Sequence, residues 1–461
     1  MKKCFAWILP VLFCVAYVYG RLICYGPMTD SIGAQDTESY FETAKVDFPS
    51  LEFFEAPRSA ALPLLIKLLN PTVTYEITLM SEPYYGSEPT LMIQPGTEKI
   101  IQTQTIIAMV CWICSALLAA SCVNGWFSKA LISFLILVFA FVPQIADWDS
   151  ILISESLSFS LMGLMIALLL KIIPYREKPG KSPWVFGFFE LIVTTLWVFT
   201  RDTNVYFVLL TAVLLIVISL TWWFRKGSVQ AVPFILGCCM IGVFLFQQQS
   251  FNKSERSLLP FLNNMTANIF PYEERVAFFE KEGMPVTNEL LAITGSAEYN
   301  EIYQQEAFMR WARRNGVKTY KKWLMSMPLW CVTQIWENLD SFFEENEQPF
   351  FYGQPNQKPH WASKVGNLFH PLSAGIILID LLLTLSLGIS GFRNHDGNQI
   401  RWFCFGVIVF LSSGLMMSIS FLGEVRSIWR HVLSSAICFR LLLWMELSAL
   451  TQKPSELTAE R

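Results

Sequence analysis

The chain has 461 residues, of which 53% are apolar and only 15% charged, with a net charge of −3 and a mean hydropathy of +0.41. Soluble globular chains carry about a quarter charged residues, so the deficit excludes an ordinary soluble domain. The net charge by itself implies little about partners, but the sequence has no basic domain or arm of the kind nucleic-acid binding needs. The 37 phenylalanines and 16 tryptophans suit a surface that faces lipid and anchors at its interfaces.

Lys2 and Lys3 precede an apolar run over residues 4–19, which reads as an uncleaved first helix because no small-x-small cleavage site follows it. Runs of spanning length then cover 103–123, 127–145, 152–173, 184–200, 204–224, 230–246, 372–390, 402–421 and 428–447. Together they predict an all-α polytopic membrane protein of about ten transmembrane helices. Lys129, Lys171, Arg176, Lys178, Lys181, Arg225, Lys226, Arg393 and Arg401 gather on one set of short connections. Only Arg201 and Arg426 occupy the other. By the positive-inside rule both termini are then cytoplasmic.

Two stretches are too long to be connectors, and both fall on the outer side. Residues 20–102 hold a dense acidic and aromatic segment, an apolar segment at 60–69 with the character of a helix lying on the membrane, and a polar tail with Pro83, Gly86, Pro89, Pro95 and Gly96. Residues 247–371 show helical periodicity at 272–282 and 301–314, further short helices at 254–264 and 323–343, and a loop-like 344–360. Gly283-Met284-Pro285 stops the first of these helices. The aromatics of this region, including Trp311, Tyr320, Trp323, Trp330 and Trp336, read either as a lid near the membrane surface or as the core of a compact cap. The chain divides into a membrane module (1–246), an outer cap (247–371) and C-terminal spans (372–461). Most cysteines sit in apolar runs and read as small buried hydrophobes. Cys24 and Cys331, in outer regions of the same side, are candidates for a disulfide.

Asp36-Thr-Glu-Ser-Tyr40-Phe-Glu-Thr-Ala44 has a helical spacing that sets Asp36, Tyr40 and Ala44 on one face. The carboxylate either caps that helix or is held beside a substrate carried in lipid. Asp147 and Asp149 fall in the turn before the fourth span, and Glu155 in that span's first turns, where an ionised carboxylate is expensive unless it faces protein or water. Arg201 closes the fifth span; Arg426, Arg430 and His431 stand at the outer end of the last. A guanidinium offers a fork of donors to phosphate oxygens, although interfacial snorkelling accounts for arginines there as well. Asp380, in the eighth span, reads as a structural pair. A Walker loop, HExxH, zinc spacing and a convincing GxSxG motif are all missing from the sequence. Asn252-Lys-Ser254 and Asn264-Met-Thr266 match the N-glycan acceptor pattern.

The run Asp36-x-x-x-Tyr40-x-x-x-Ala44 resembles the D-x-x-x-Y-x-x-x-A pattern of the GT-C superfamily. These are integral membrane glycosyltransferases that use a polyprenyl-phosphate-linked sugar. The Pro57-Arg58…Pro63-Leu64-Leu65 segment, Ser154-Glu155-Ser156-Leu157-Ser158-Phe159 and Thr200-Arg201 resemble further segments of bacterial members, in the same order. The resemblance covers spans one to six, about half of the chain. It implies Asp36 as catalytic base and Arg201, Arg426, Arg430 and His431 as donor-phosphate ligands. Tyr40, Asp147, Asp149 and Glu155 would then meet sugar or acceptor, and Arg58 would orient the loop. It also implies inversion at the anomeric carbon, a polyprenyl-phosphate-sugar as donor, and a glycan, lipid or protein as acceptor. The active site would be extracytoplasmic, in a bacterial inner membrane. Some members employ a divalent cation, for which the sequence assigns no ligands. The alternatives from other classes are a secondary transporter, which needs an internal repeat and interrupted midplane helices, and a non-catalytic envelope-assembly scaffold.

Overall fold

A computed structural model describes residues 2–26, 31–34, 36–70, 96–173, 182–226, 230–294, 299–348 and 360–452. Asp30, most of the polar tail, the linker with Arg176, Lys178 and Lys181, and residues 350–352 lie outside them. The helices in chain order are α1 (Lys2–Cys24), α2 (Thr37–Lys45), α3 (Leu51–Glu55), α4 (Ala61–Leu69), α5 (Glu98–Ala120), α6 (Trp126–Phe141), α7 (Pro143–Ala146), α8 (Glu155–Ile172), α9 (Ser182–Val198), α10 (Asn204–Lys226) and α11 (Ala231–Lys253). They continue with α12 (Leu258–Asn264), α13 (Glu273–Lys281), α14 (Asn288–Ala292), α15 (Tyr299–Gln304), α16 (Glu306–Trp311), α17 (Val317–Ser326), α18 (Pro328–Glu337), α19 (His360–Phe369), α20 (Gly375–Arg393), α21 (Gly397–Gly423) and α22 (Ile428–Leu450).

Among the described residues, eight helices are long and apolar enough to cross a membrane, or nine if the pair Trp126–Phe141 and Pro143–Ser150, bent by 58°, is one span. The remaining expected run, 184–200, is the shorter apolar helix Pro183–Val198, so each of the about ten expected runs falls on a helix. The third predicted span bends near its end because Pro143 cannot donate into the α6 ladder, and the chain continues as α7 and a 3₁₀ turn, Asp147–Ser150. The fifth is a helix of 17 residues, about 26 Å long by its rise, against a hydrocarbon layer of about 30 Å.

The main core runs through α1, α5, α6, α8 and α22, and α8 is buried over almost its whole length. Close packing of α5 on α8 depends on Gly163: a Cβ there would lie 2.6 Å from the Trp112 ring. The residues after α11 build a separate core from Phe261, Leu262, Phe279, Trp311, Tyr320 and Trp323. The aromatics of the second long region therefore divide. Trp311, Tyr320 and Trp323 form a cap interior, whereas Trp336 is 76% exposed. Gly283 stops α13 with φ +87, the left-handed conformation that glycine adopts without a Cβ penalty.

The short elements after α1 are fastened to the α7–α8 connection. Ile32 N–H donates to Ser150 O, and Ile32 O accepts from Leu152 N–H, both at 2.9 Å. Thr37 Oγ1 donates to Leu152 O at 3.0 Å, and Tyr40 OH shares a hydrogen bond of 3.0 Å with Ser154 Oγ. Phe41, 2% exposed, fills the core below, a burial worth about 2–3 kcal/mol. These contacts fix α2 against the first turn of α8. Arg21, at the end of α1, ties that helix to the same connection through a buried ion pair of 2.6 Å with Asp149.

Breaking a buried pair from one side strands the other charge, at a cost of about 3–5 kcal/mol. Arg21→Met is expected to lower stability by that amount in thermal unfolding of the detergent-purified protein. Arg21→Met combined with Asp149→Leu should recover most of the loss.

Candidate active site

Asp36 occupies the N-cap position of α2, but its side chain makes no capping hydrogen bond. Thr37 Oγ1 accepts from Ala34 N–H at 2.8 Å, which ties the preceding segment to the start of the helix. The Asp36 carboxylate is instead gripped from both sides. Arg58 Nη2 meets Oδ1 at 2.5 Å and Arg430 Nη1 meets Oδ2 at 2.8 Å. Arg430 is shared, because its Nε donates to Glu155 Oε1 at 2.7 Å. Arg201 completes the group, with Nη1 3.8 Å from Glu155 Oε1 and donating to the Arg430 carbonyl at 3.1 Å. Glu155 is 1% exposed, whereas the Asp36 and Arg58 side chains are 26% and 32% exposed, so the cluster opens on one side only. Among the described residues, three guanidiniums face two carboxylates here. Buried Glu155 Oε2 has no hydrogen-bond partner among the described residues. Burial alone would raise the Asp36 carboxyl, but the guanidiniums of Arg430 and Arg58 outweigh it and hold the group below its ordinary value of 3.8.

Each arginine is delivered by a different support. Arg58 Nε donates to Ser39 Oγ at 2.6 Å, and its guanidinium lies 5.2 Å from the centre of the Tyr40 ring. The next residue, Ser59, donates to Asp202 Oδ1 at 2.9 Å. Asp202 also receives Gln247 at 3.0 Å and pairs with Arg256 at 3.4 Å, which locks the Arg58 loop to α11 and to the start of the cap. Arg430 is set by the α21–α22 turn. Asn264 Nδ2 donates to Gly423 O, Tyr320 OH to Leu422 O, and Asn263 Nδ2 to Glu424 Oε1. Ser427 then adopts φ 46, ψ 43 to start α22, a conformation a side chain takes only where its surroundings enforce it. The cap thus holds the turn that aims Arg430. Asn264 is consumed in these contacts and buried, so its sequon does not present a glycan site.

The remaining expected residues lie around this cluster in different ways. His431 follows Arg430 and is within electrostatic reach of Arg201, Glu155 and Asp36. Arg426 is held in the turn, where its backbone N–H donates to Glu424 Oε1. Asp149 is placed behind the cluster: it pairs with Arg21 and accepts from Ser156 Oγ at 2.5 Å. Asp147 is buried beside Arg21 and Tyr25. Asp380 is fully buried on α20 with neither oxygen hydrogen-bonded, near Glu446 of α22. Cys24 and Cys331 are both free thiols, so the expected disulfide is not formed. Ser39, Arg256, Gln247 and Arg21 were not singled out by the sequence reading. Arg21 alone carried a signal, a charged side chain closing an apolar helix.

The fit of a divalent cation can be tested on these contacts. Both Asp36 oxygens already face guanidiniums, and Glu155 faces Arg201 and the shared Arg430, so a cation there would meet three like charges. The residues present do not fit one. Among the described residues no three His, Cys, Asp or Glu side chains gather as a metal set.

Beside the cluster lies an apolar groove of about 580 Å³, lined by Phe48, Phe54, Ala60, Phe199, Gly242 and Phe246, among others. Its wall and the cluster are built by the same two segments. Ala60 follows Arg58 by two residues and Phe199 precedes Arg201 by two, and Ala61 N–H donates to Phe199 O at 2.8 Å.

No family model and no curated protein sequence matches the chain. Its fold is similar to that of the archaeal oligosaccharyltransferase AglB from Archaeoglobus fulgidus. The structure with an inhibitory peptide and dolichol-phosphate shares 11% identity and a TM-score of 0.43 over 96% of this chain. The complex of the Archaeoglobus fulgidus oligosaccharyltransferase with zinc and sulfate gives 10% and 0.44, and the form tethered to an acceptor peptide 11% and 0.42. The chain spans about half the length of these proteins, between 49% and 50% of each.

Arg430→Gln leaves buried Glu155 with Arg201 alone, and a stability loss of about 3–5 kcal/mol is expected. Arg58→Gln, at the wetter edge, should cost about 1 kcal/mol or less. Thermal unfolding of the two purified variants measures the difference.

Proposed function

We propose that the chain is a membrane glycosyltransferase that moves a sugar from a polyprenyl-phosphate carrier to an extracytoplasmic acceptor hydroxyl. The observation that carries this reading is the Asp36–Arg430–Glu155 chain of contacts, open on one side and holding three guanidiniums around two carboxylates among the described residues. A diester phosphate is the ligand such a site favours, since guanidinium forks match its oxygens. Helices that end at this level of a bilayer bring a lipid-borne phosphate there without removing its chain from lipid. The apolar groove between Phe54, Phe199 and Phe246 accommodates the first isoprene units of that chain.

In this scheme Asp36 removes the proton from the acceptor hydroxyl. The hydroxyl oxygen bonds to the anomeric carbon from the face opposite the phosphate, the carbon–oxygen bond to phosphate breaks, and polyprenyl phosphate leaves with the bonding pair. The negative charge that develops on the leaving oxygen falls beside Arg430 and Arg201, where preorganised donors stabilise it. Glu155 Oε2 accepts from a sugar or acceptor hydroxyl. Two guanidiniums make Asp36 a poor base in the empty site. A donor phosphate competes for Arg430 and Arg58, and its own negative charge raises the carboxyl's proton affinity, so the base gains strength only when donor is bound.

A transporter reading draws on one observation, the buried and unpartnered Asp380 with Glu446 on two spans. Uptake of labelled solute by proteoliposomes without any glycosidic product would favour it.

Asp36→Asn is expected to lower transfer by about 10²–10⁴-fold without loss of folded yield; full activity of the variant would remove Asp36 from the mechanism. The required carboxylate is active when deprotonated, so activity falls as pH drops through its pKa. The acid limb of kcat/KM, which reports the free enzyme, should therefore lie below 3.8, and that of kcat at higher pH. Coincident limbs would contradict the exchange of Arg430. The groove has a separate test at Gly242, where a Cβ meets nothing within 4 Å. Gly242→Phe should raise KM for a long-chain donor about tenfold, as expected when about 1.4 kcal/mol of apolar contact is lost, and leave a donor with a short prenyl chain unchanged.

A further inference from the structure

The α17–α18 pair carries a surface that the site does not use. α17 buries Thr319, Tyr320 and Trp323 in the cap core, but α18 has no fully buried residue. Trp330 leans on the cap core, and Ile335 packs on the cluster of Phe342, Met417 and Phe421 at the ends of α20–α22. That wedging leaves Leu329, Val332 and Trp336 outward at 82%, 65% and 76% exposure, with Met325 at 75% just before them. The spacing of 329, 332 and 336 puts them on one helix face. Water is a poor neighbour for such a ridge, and soluble surfaces rarely keep one.

What covers it is indicated by its position and by the charges next to it. α18 abuts the ends of the spans, and α20 there turns Leu378, Leu382 and Ile389 outward at 60%, 54% and 69%, as a lipid-facing helix does. Ile335 of α18 packs in one cluster with Ile376 and Ile377 of α20, which sets the ridge beside the start of that helix. Between Glu306 and Glu337 the chain holds six basic residues and no acidic one. Arg313 pairs with Glu255 and Lys322 with Glu282. Arg310, Arg314, Lys318 and Lys321 are exposed and make no ion pair among the described residues. Lys318, Lys321 and Met325, at i, i+3 and i+7, share one face of α17 that runs into the ridge. Cations beside an apolar face with Trp and Leu are the composition of a helix lying in a charged lipid interface.

We propose that α17–α18 is a second, non-spanning contact with the bilayer. Leu329, Val332 and Trp336 enter the boundary between acyl chains and headgroups, while Lys318 and Lys321 lie over anionic headgroups. The contact fixes the cap to the lipid surface, and through Tyr320 and Leu422 it bears on the turn that aims Arg430. The lipid contact stands independently of the reaction assigned to the site.

The test uses the full chain in vesicles of phosphatidylcholine, alone or mixed with phosphatidylglycerol. A photo-reactive benzoylphenylalanine replaces Val332 or Trp336, both exposed, or Glu289 on α14 as control. Lipid adducts at 332 and 336 should exceed those at 289 by about tenfold, as expected for a buried apolar helix face. Lys318→Gln with Lys321→Gln should lower the phosphatidylglycerol share of the adducts at least about fivefold, the effect of one cation at an anionic surface. Adducts to protein, or lipid adducts no more frequent than at 289, would overturn the proposal. An unchanged phosphatidylglycerol share would overturn its electrostatic part.

Discussion

One guanidinium joins the two halves of this molecule. Arg430, on the last helix, reaches Asp36 on the first loop and Glu155 on α8 with separate nitrogens. A buried carboxylate such as Glu155 is tolerable only while a cation stays with it. The first loop, α8 and α22 must therefore hold one arrangement. The hydrogen bonds from Ile32, Thr37 and Tyr40 to residues 150–154 and the cap's grip on residues 422–424 serve that requirement from opposite sides.

The arrangement is rigid where it is dry and adjustable where it is wet. Glu155 and Arg201 are deep, whereas Asp36 and Arg58 stand at the opening. An anion arriving from the open side can replace Asp36 as partner of Arg430 or Arg58 while Glu155 remains neutralised. The same contacts thus supply stability in the resting state and a means of responding to charge. A closed network, with each group fully paired and buried, would stabilise as well but would have nothing to offer a substrate.

The fold was legible in the sequence wherever it rested on local composition. Spans such as those at 204–224 and 428–447 announce themselves by uninterrupted apolar length, and the helix at 61–69 by its apolar run. Pro143 was visible too, but a proline inside an apolar run does not say whether the helix kinks or ends. That depends on the partners of the freed carbonyls, and here α6 ends in a 58° bend. The Asp36–Tyr40 spacing and the arginines at span ends marked elements whose side chains meet. Whether Asp36 caps its own helix or faces outward could not be read, because the decision lies with Arg430 and Arg58. Arg430 is 275 positions from Glu155, and no local pattern records that meeting. The partner of the Asp147-Trp148-Asp149 turn was hidden for the same reason: Asp149 pairs with Arg21, 128 positions away.

The central claim, that Arg430 passes from Asp36 to a lipid phosphate, is tested most directly by an experimental structure with a polyprenyl-phosphate-sugar bound. The account predicts a phosphate oxygen within hydrogen-bond distance of Arg430, the isoprene chain in the Phe54–Phe199–Phe246 groove, and Asp36 Oδ2 freed towards the anomeric carbon. A phosphate held elsewhere, with the Arg430–Asp36 contact still at its resting 2.8 Å, would contradict it.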